Sequence, residues 1–480
     1  MDNSELREKT LGGLFWKFAE RFGAQGISFI ISIVLARILM PEEYGVVAIV
    51  TVLISLCNVF VNSGFGTALI QKKDADDMDF STVFFFGFGL ALVLYSLLFL
   101  GAPVVAKIYN NEVLIPVIRV MGLMVIIASF NTVQHAYVSR TMQFKKFFFS
   151  TIGGTLGSAI VGIIMAVLGC GVWALVAQYL FNAVVDTVVL FFTIDWKPKK
   201  LYSWTRLKGL FSYGWKLLVA SFVDTFYNNL RSLIIGKKYS SADLAYYNKG
   251  KQFPDLLSTN ILSAIENVLF PAIAQKQDNT ETVKAMVRRF IKTGSYIMMP
   301  LMIGLAVVAE PLVSLILTDK WLFCVPYIQI YCVVGFLQPI QTANQQAIKA
   351  LGRSDITLKL EVVKKLFGVV LLLIVMRFGV FAIAASNILY SFVVLVMNSS
   401  PNMKLMNYSL KEQIVDIIPN LFASTIMGVI VYLLRMLPFS TIVILMIQVI
   451  VGALVFVLES IVFKIESFFY IKSIVHNKKR

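Results

Sequence analysis

Long apolar stretches follow one another almost without interruption along this chain, and that rhythm leaves few folds open. About fourteen are visible: residues 26–40, 46–61, 84–105, 120–130, 152–168 and 172–192, then 217–235, 256–273, 296–317, 325–343, 366–376, 380–397, 417–434 and 442–463. Each reaches or approaches the ~20 residues a helix needs to cross a bilayer. Within lipid every backbone amide has to be satisfied inside its own segment, so segments of this kind are helices. A hydrophobic share of 58% and a mean hydropathy of +0.79 agree. The chain reads as an all-α polytopic membrane protein with about fourteen transmembrane helices. Shared among so many helices, its 480 residues leave loops too short to hold an extramembrane catalytic domain. The first residues are polar and no leader-type cleavage site follows, so the first helix is expected to insert the protein itself.

The net charge of +16 would suggest nucleic acid in a soluble chain; here its distribution carries the information. Most of the 43 Lys and Arg fall at the N-terminus, in even-numbered loops or in the tail, among them Lys72, Lys73, Lys145, Lys146, Lys197, Lys199, Lys200, Arg288, Arg289, Arg353, Lys478, Lys479 and Arg480. Odd-numbered loops hold only Arg37, Lys107, Lys237, Lys238, Lys320, Arg377 and Arg435. By the positive-inside rule both termini are cytoplasmic, which requires an even number of spans. Cys57, Cys170, Cys324 and Cys332 lie in or beside apolar segments without metal-like spacing and read as small hydrophobes. His135 and His476 are the only histidines, which argues against a histidine-based metal site.

The longest connection in the first half, 194–208, is rich in Lys and carries Trp196, Pro198 and Trp204, as expected of a cytoplasmic linker with interfacial aromatics. It divides the chain into a six-helix bundle (1–194), the linker (195–208), a second six-helix bundle (209–400), and two additional helices with a basic cytoplasmic tail (401–480). The second block echoes the first. Phe15-Trp16-Lys17 resembles Gly214-Trp215-Lys216, and 33–45 resembles 233–245 at an offset of 200, pairing Arg37 with Lys237 and Glu43 with Asp243. A repeat of six helices is even, so both copies would insert in the same orientation. Prolines and glycines punctuate many spans. Packing accounts for most of them, and Pro254 is the one that reads as a hinge.

Seven cations fall within spans: Lys17, Arg21, Arg119, Lys216, Arg231, Lys249 and Lys251. At full depth each costs ~2.5–3.5 kcal/mol, so a lipid-facing arrangement of all seven is implausible even with snorkelling. They are expected to face a hydrated interior. Acids in similar positions are fewer: Glu20, Asp186, Asp224, Asp255 and Glu266. Lys17, Glu20 and Arg21 share one side of the first helix, where an interfacial charged patch is an equally good account. Asp224, Asn228 and Arg231 recur on one helical face, and the run 246–255 is too polar to face lipid. A hydrated interior with surplus positive charge suits an anionic ligand such as a phosphate or carboxylate. The phenylalanine runs 84–86 and 147–149 read as packing.

Absences narrow the function. There is no G-x-x-x-x-G-K-[ST] phosphate loop, no voltage-sensor repeat and no selectivity-filter motif, and no outer loop long enough for a glycan ligase or polymerase. Secondary transport remains.

Three runs carry a family resemblance. Phe18-Ala19-Glu20-Arg21-Phe22-Gly23 leads through Leu35-Ala36-Arg37-Ile38-Leu39-Met40-Pro41-Glu42-Glu43-Tyr44-Gly45 to Asn62-Ser63-Gly64-Phe65-Gly66-Thr67-Ala68-Leu69-Ile70-Gln71. Ala245-Tyr246-Tyr247-Asn248-Lys249-Gly250 and Val268-Leu269-Phe270-Pro271-Ala272 add to them. This pattern, over most of the first 350 residues, resembles the Wzx-type polysaccharide exporters of the multidrug/oligosaccharidyl-lipid/polysaccharide (MOP) superfamily. The resemblance implies two six-helix bundles around a central cavity with two further C-terminal helices. It also implies a substrate, an oligosaccharide on an undecaprenyl-pyrophosphate carrier flipped to the outer leaflet of the bacterial cytoplasmic (inner) membrane. No bound cofactor is expected. Membrane lipids and other polysaccharide-assembly proteins are the implied partners, and nucleic acid is not. The seven cations are then the expected headgroup contacts. Where many relatives would carry an acid this chain has Arg231, so a role in H+ or Na+ gradient coupling passes to Asp224, Asp255 and Glu266. Two rivals within the superfamily are a lipid II flippase, which the exporter-type runs argue against, and a MATE-like drug exporter, which would favour an acidic cavity.

Overall fold

A computed structural model describes residues 3–62 and 64–477, and among them the regular structure is entirely helical. The helices are α1 (Asn3–Ile38), α2 (Pro41–Asn62), α3 (Phe65–Gln71), α4 (Asp77–Tyr109), α5 (Leu114–Met121), α6 (Leu123–Arg140), α7 (Phe144–Val167), α8 (Val172–Thr193), α9 (Trp204–Lys238), α10 (Ser241–Ala274), α11 (Thr280–Leu317), α12 (Val325–Ala350), α13 (Ser354–Val375), α14 (Val380–Met406), α15 (Leu410–Leu433), α16 (Thr441–Val462) and α17 (Glu466–Asn477). The apolar stretches fall on the long helices, except 120–130, which runs from α5 across Gly122 into α6. Taking α2–α3 and α5–α6 as continuous spans, 12 helices among the described residues are long and apolar enough to cross a membrane. The more polar α9 and α13, of 35 and 22 residues, bring the long helices to the expected number. The basic tail residues Lys478, Lys479 and Arg480 lie outside the described residues. Ahead of them α17 is helical, where a tail alone was expected.

The chain forms two compact units, Met1–Ala245 and Tyr246–Arg480. In the first, breaks between helices are written in local chemistry. Glu43 in the first turn of α2 accepts from the Met40 amide at 2.7 Å. Gly64, with φ at +100°, turns the chain into α3. Asp76 and Asp79 form a capping box at the start of α4. The Lys-rich linker does not hang free: the Lys199 and Ser203 amides donate to Ser81 and Thr82 at 3.1 Å. Trp196 is buried against Phe80 and Phe84. Arg206, at the head of α9, lies 2.5 Å from Asp76 and 3.3 Å from the buried Asp79. That guanidinium holds the Asp76 carboxyl down at about 2. The pair's contribution is full above the ordinary carboxyl range and is lost only as pH falls toward 2.

These contacts place α9 in the first unit, although the sequence division grouped it with the second bundle. Its far end is tied there too, through Tyr109 Oη donating to the Leu233 carbonyl at 3.3 Å and Lys237 donating to the Ile108 carbonyl. Small residues let helices meet backbone to backbone, as between Gly64 and Gly214. Along α7, a Cβ on Gly157 would sit 2.6 Å from the Phe181 ring of α8. The tightest approach is at Gly45, where a Cβ would fall 1.9 Å from the Ser241 carbonyl oxygen. Gly45→Val is therefore expected to destabilise the fold by about 3 kcal/mol, read as a lowered unfolding temperature of the purified protein in detergent.

The second unit is built on the long helix α11, against which α12, α15, α16 and α17 pack. Its core runs from Leu269 and Val287 through Met299, Ile340 and Ala347 to Tyr408. The C-terminal helices are an integral layer of this unit. Asp416 of α15 binds Arg288 and Lys292 of α11, and Lys292 reaches Glu466 of α17 at 2.7 Å.

The repeat seen in sequence recurs in the helices. α1 ends at Ile38 and α9 at Lys238; α2 begins at Pro41 and α10 at Ser241. The capping contact recurs as well, with Asp243 accepting from the Ser240 amide at 3.2 Å as Glu43 does from Met40. The long helices that follow keep the same order and similar lengths, α4 with α11, α5–α6 with α12, α7 with α13, and α8 with α14.

Candidate substrate-binding site

In the second unit the polar run opening α10 is packed, not solvated. Gly250 lies directly on α12 and the short turn before it: a Cβ there would come within 2.5 Å of Tyr327 and 2.7 Å of the Cys324 carbonyl. That approach draws the neighbouring cations among aromatic rings. Lys249 is buried, with 6% of its surface exposed, and its Nζ stands 5.7 Å from the Trp321 ring centroid. Lys251, half-exposed, lies 5.8 Å from the Tyr331 ring and 3.9 Å from Asp255. Tyr247 Oη and Tyr331 Oη are 2.5 Å apart, and Asn387 donates to Tyr331 at 3.3 Å. A buried ammonium against an aromatic face, with a half-exposed second cation two residues on, is an arrangement suited to an anionic group. Pro254 is buried inside α10, which runs as a continuous helix past it. Glu266, further along α10, is exposed.

In the first unit the candidates are dispersed. Lys17 is exposed near the start of α7, its Nζ 5.3 Å from the Phe144 ring. Arg21 is exposed on the same helix, and Glu20 accepts from Thr151 at 3.3 Å. Lys216 and Asp224 are exposed on α9, while Arg231 is buried with its guanidinium 5.9 Å from the Tyr227 ring. Arg119 lies on α5, 4.4 Å from the Phe99 ring centroid and donating to the Phe99 carbonyl at 3.4 Å, so α4 engages it and not the other cations.

A second polar site went unread in the sequence. A cavity of about 470 Å³ within the first unit is lined by Asn58, Asn62, Asn131, Thr132, His135 and Ser139 together with apolar Ile70, Met124 and Ile127. Behind it His135 Nε2 lies 3.2 Å from Asp186, to which Asn131 also donates at 3.4 Å; Thr187 donates to Asn131 at 2.6 Å. The usable signal was the placement of one histidine and one aspartate in apolar spans, on helices separated by 51 positions.

The family model described as "Polysaccharide biosynthesis protein" matches residues 34–326, more than half of the chain. The chain belongs to this family. Among curated relatives of this polysaccharide biosynthesis protein is the lipopolysaccharide biosynthesis protein WzxC of Escherichia coli (strain K12), 26% identical over 366 residues that cover 75% of this chain and 73% of the relative. Another is the succinoglycan biosynthesis transport protein ExoT of Rhizobium meliloti (strain 1021), 25% identical over 68% of this chain and 66% of its own length. The fold is shared with solved MOP-superfamily structures. The lipid II flippase MurJ, in an inward closed conformation, superposes with a TM-score of 0.76 at 13% identity, covering 94% of this chain and 98% of that one. An inward-facing MATE-family multidrug transporter superposes at 0.62 with 15% identity, covering 80% and 96%.

Proposed function

We propose that this polysaccharide biosynthesis protein is a secondary transporter that flips an undecaprenyl-pyrophosphate-linked oligosaccharide from the inner to the outer leaflet of the bacterial cytoplasmic membrane, for cell-surface polysaccharide assembly. One structural observation carries the reading beyond the family: a lysine buried in the body of a membrane helix against the Trp321 ring, with a second lysine two residues on. Such a cation is expensive in a bilayer unless a function uses it, and a pyrophosphate is the anion a polysaccharide exporter must carry. Lys249 and Lys251 are the proposed headgroup cations. The polyprenyl tail stays in lipid, and an ion gradient gives direction to alternating access. The charge asymmetry of the loops supports a cytoplasmic position for both termini.

The likeness to MurJ and to a MATE transporter concerns fold, so it does not by itself favour lipid II or drugs as substrate. The deciding test is translocation of a labelled undecaprenyl-pyrophosphate oligosaccharide in proteoliposomes of the purified protein, with and without a proton or sodium gradient. Protein-dependent movement of the lipid is the expected result. Movement of a small organic cation with no lipid transfer would sink the reading.

A further inference from the structure

Several acids on the membrane helices of this protein are tied to permanent cations: Asp79 to Lys72, Asp416 to Arg288, Glu310 to Arg435 and Asp255 to Lys251. Asp186 is different. Its side chain is 13% exposed, its partner is a histidine, and its Oδ1 has no hydrogen-bond partner among the described residues. Histidine is the side chain whose charge ordinarily changes between pH 5 and 8, and His135 is 47% exposed and lines the polar cavity.

We propose that the Asp186–His135 pair is the proton-binding element of this transporter, loaded from the water of that cavity and coupled to the packing of α6 against α8. The inference rests on the flippase reading and assigns its energy source to particular residues. A proton taken from cavity water onto the imidazole makes the pair a neutral-sum ion pair across the α6–α8 interface. Its release leaves the pair with a net negative charge, the carboxylate held by neutral donors only, in a medium where an uncompensated charge is costly. The two protonation states therefore stabilise the same helix contact unequally, the differential that coupling requires. Other charges on the helices packed around the pair are engaged elsewhere. Glu43 is bound by the Met40 amide, Asp79 by Lys72, Arg119 by the Phe99 carbonyl, Arg140 by the carbonyls of Leu69, Lys72 and Lys73, and Lys146 stands 3.9 Å from Asp195. Asn58 and Asn62 of α2 face the cavity without charge.

The chain's two histidines make the site directly readable. In 15N-histidine-labelled protein carrying His476→Gln, in lipid nanodiscs, the remaining imidazole signal reports His135. That signal is expected to move on Asp186→Asn, as the 3.2 Å contact between imidazole and carboxylate is lost; an unchanged signal overturns the proposal. In proteoliposomes with the labelled undecaprenyl-pyrophosphate oligosaccharide, the ratio of rates with and without an acid-outside gradient is expected to exceed unity. It should collapse to unity in both Asp186→Asn and His135→Gln. If either variant keeps the full ratio, or if wild-type lipid movement ignores pH and follows sodium, the pair is not the coupling site and the flippase reading stands. If no lipid moves in any sample, the flippase reading fails, and with it the coupling role, while the histidine signal alone decides whether the two side chains are in contact.

Discussion

Lys249→Ala is expected to slow translocation of the lipid-linked oligosaccharide in proteoliposomes by at least about tenfold, with yield and helical content unchanged. A charge-assisted hydrogen bond to a phosphate oxygen contributes about 1.5–3 kcal/mol, and each 1.4 kcal/mol is a factor of about ten. The effect should approach the upper end because Lys249 is buried against Trp321, so the pair would form with little competing water. Lys249→Arg keeps the charge but spreads it over a planar fork, and the space beside Gly250 and Tyr327 is tight. It should recover part of the rate. Lys251→Ala, at a half-exposed position already 3.9 Å from Asp255, should cost less. The order of the three variants is the informative readout. If Lys249→Ala lowers the unfolding temperature and the yield but transport per folded molecule stays normal, the ammonium is a structural group and the headgroup assignment is wrong.

What sequence reasoning could and could not reach follows from the range of each interaction. Hydropathy is a property of contiguous residues, so every apolar stretch was located and all fall on helices of the fold. The echo of Glu43 in Asp243 was readable for the same reason, since a capping carboxylate acts within one turn. The amphipathic α17 was hidden because its apolar face is interleaved with charge, and its helix is recognisable by Lys292 and Glu466 meeting across 174 positions. Candidate cations were picked by their place in apolar stretches, and counting cannot say what each one meets. Arg119 meets a ring and a carbonyl of α4, and Lys17 a phenylalanine, whereas Lys249 meets an aromatic cluster supplied from the segment around Trp321. His135 and Asp186 carried no local pattern at all, because the chemistry exists only once α6 lies on α8.

Asp416→Ala is expected to be the most damaging single change to the second unit's stability, by about 3 kcal/mol. The carboxylate is 3% exposed and accepts three contacts from the Arg288 guanidinium at 2.6 to 3.0 Å; Lys292 lies 3.4 Å away, and Tyr408 Oη donates at 2.7 Å. Removing one partner of a buried ion pair costs ~3–5 kcal/mol when the other is left stranded. Arg288 is about half exposed and can rehydrate, which lowers that figure. Tyr408 cannot: it is fully buried, burial pushes its phenol above the ordinary range so that it remains a donor, and without Asp416 the hydroxyl loses its acceptor at ~1–3 kcal/mol. Asp416→Asn keeps an acceptor for Tyr408 and removes only the charge, so it should lose less. The difference between the two variants, read from thermal unfolding in detergent, separates the hydrogen bond from the ion pair. Because the same cluster joins α15 to α11 and, through Lys292, to α17, the loss should appear as earlier proteolytic access to the segment after Leu410. Equal unfolding temperatures for wild type and Asp416→Ala would mean that apolar packing of α15 on α11 alone holds this layer, and that the ion cluster contributes nothing measurable to it.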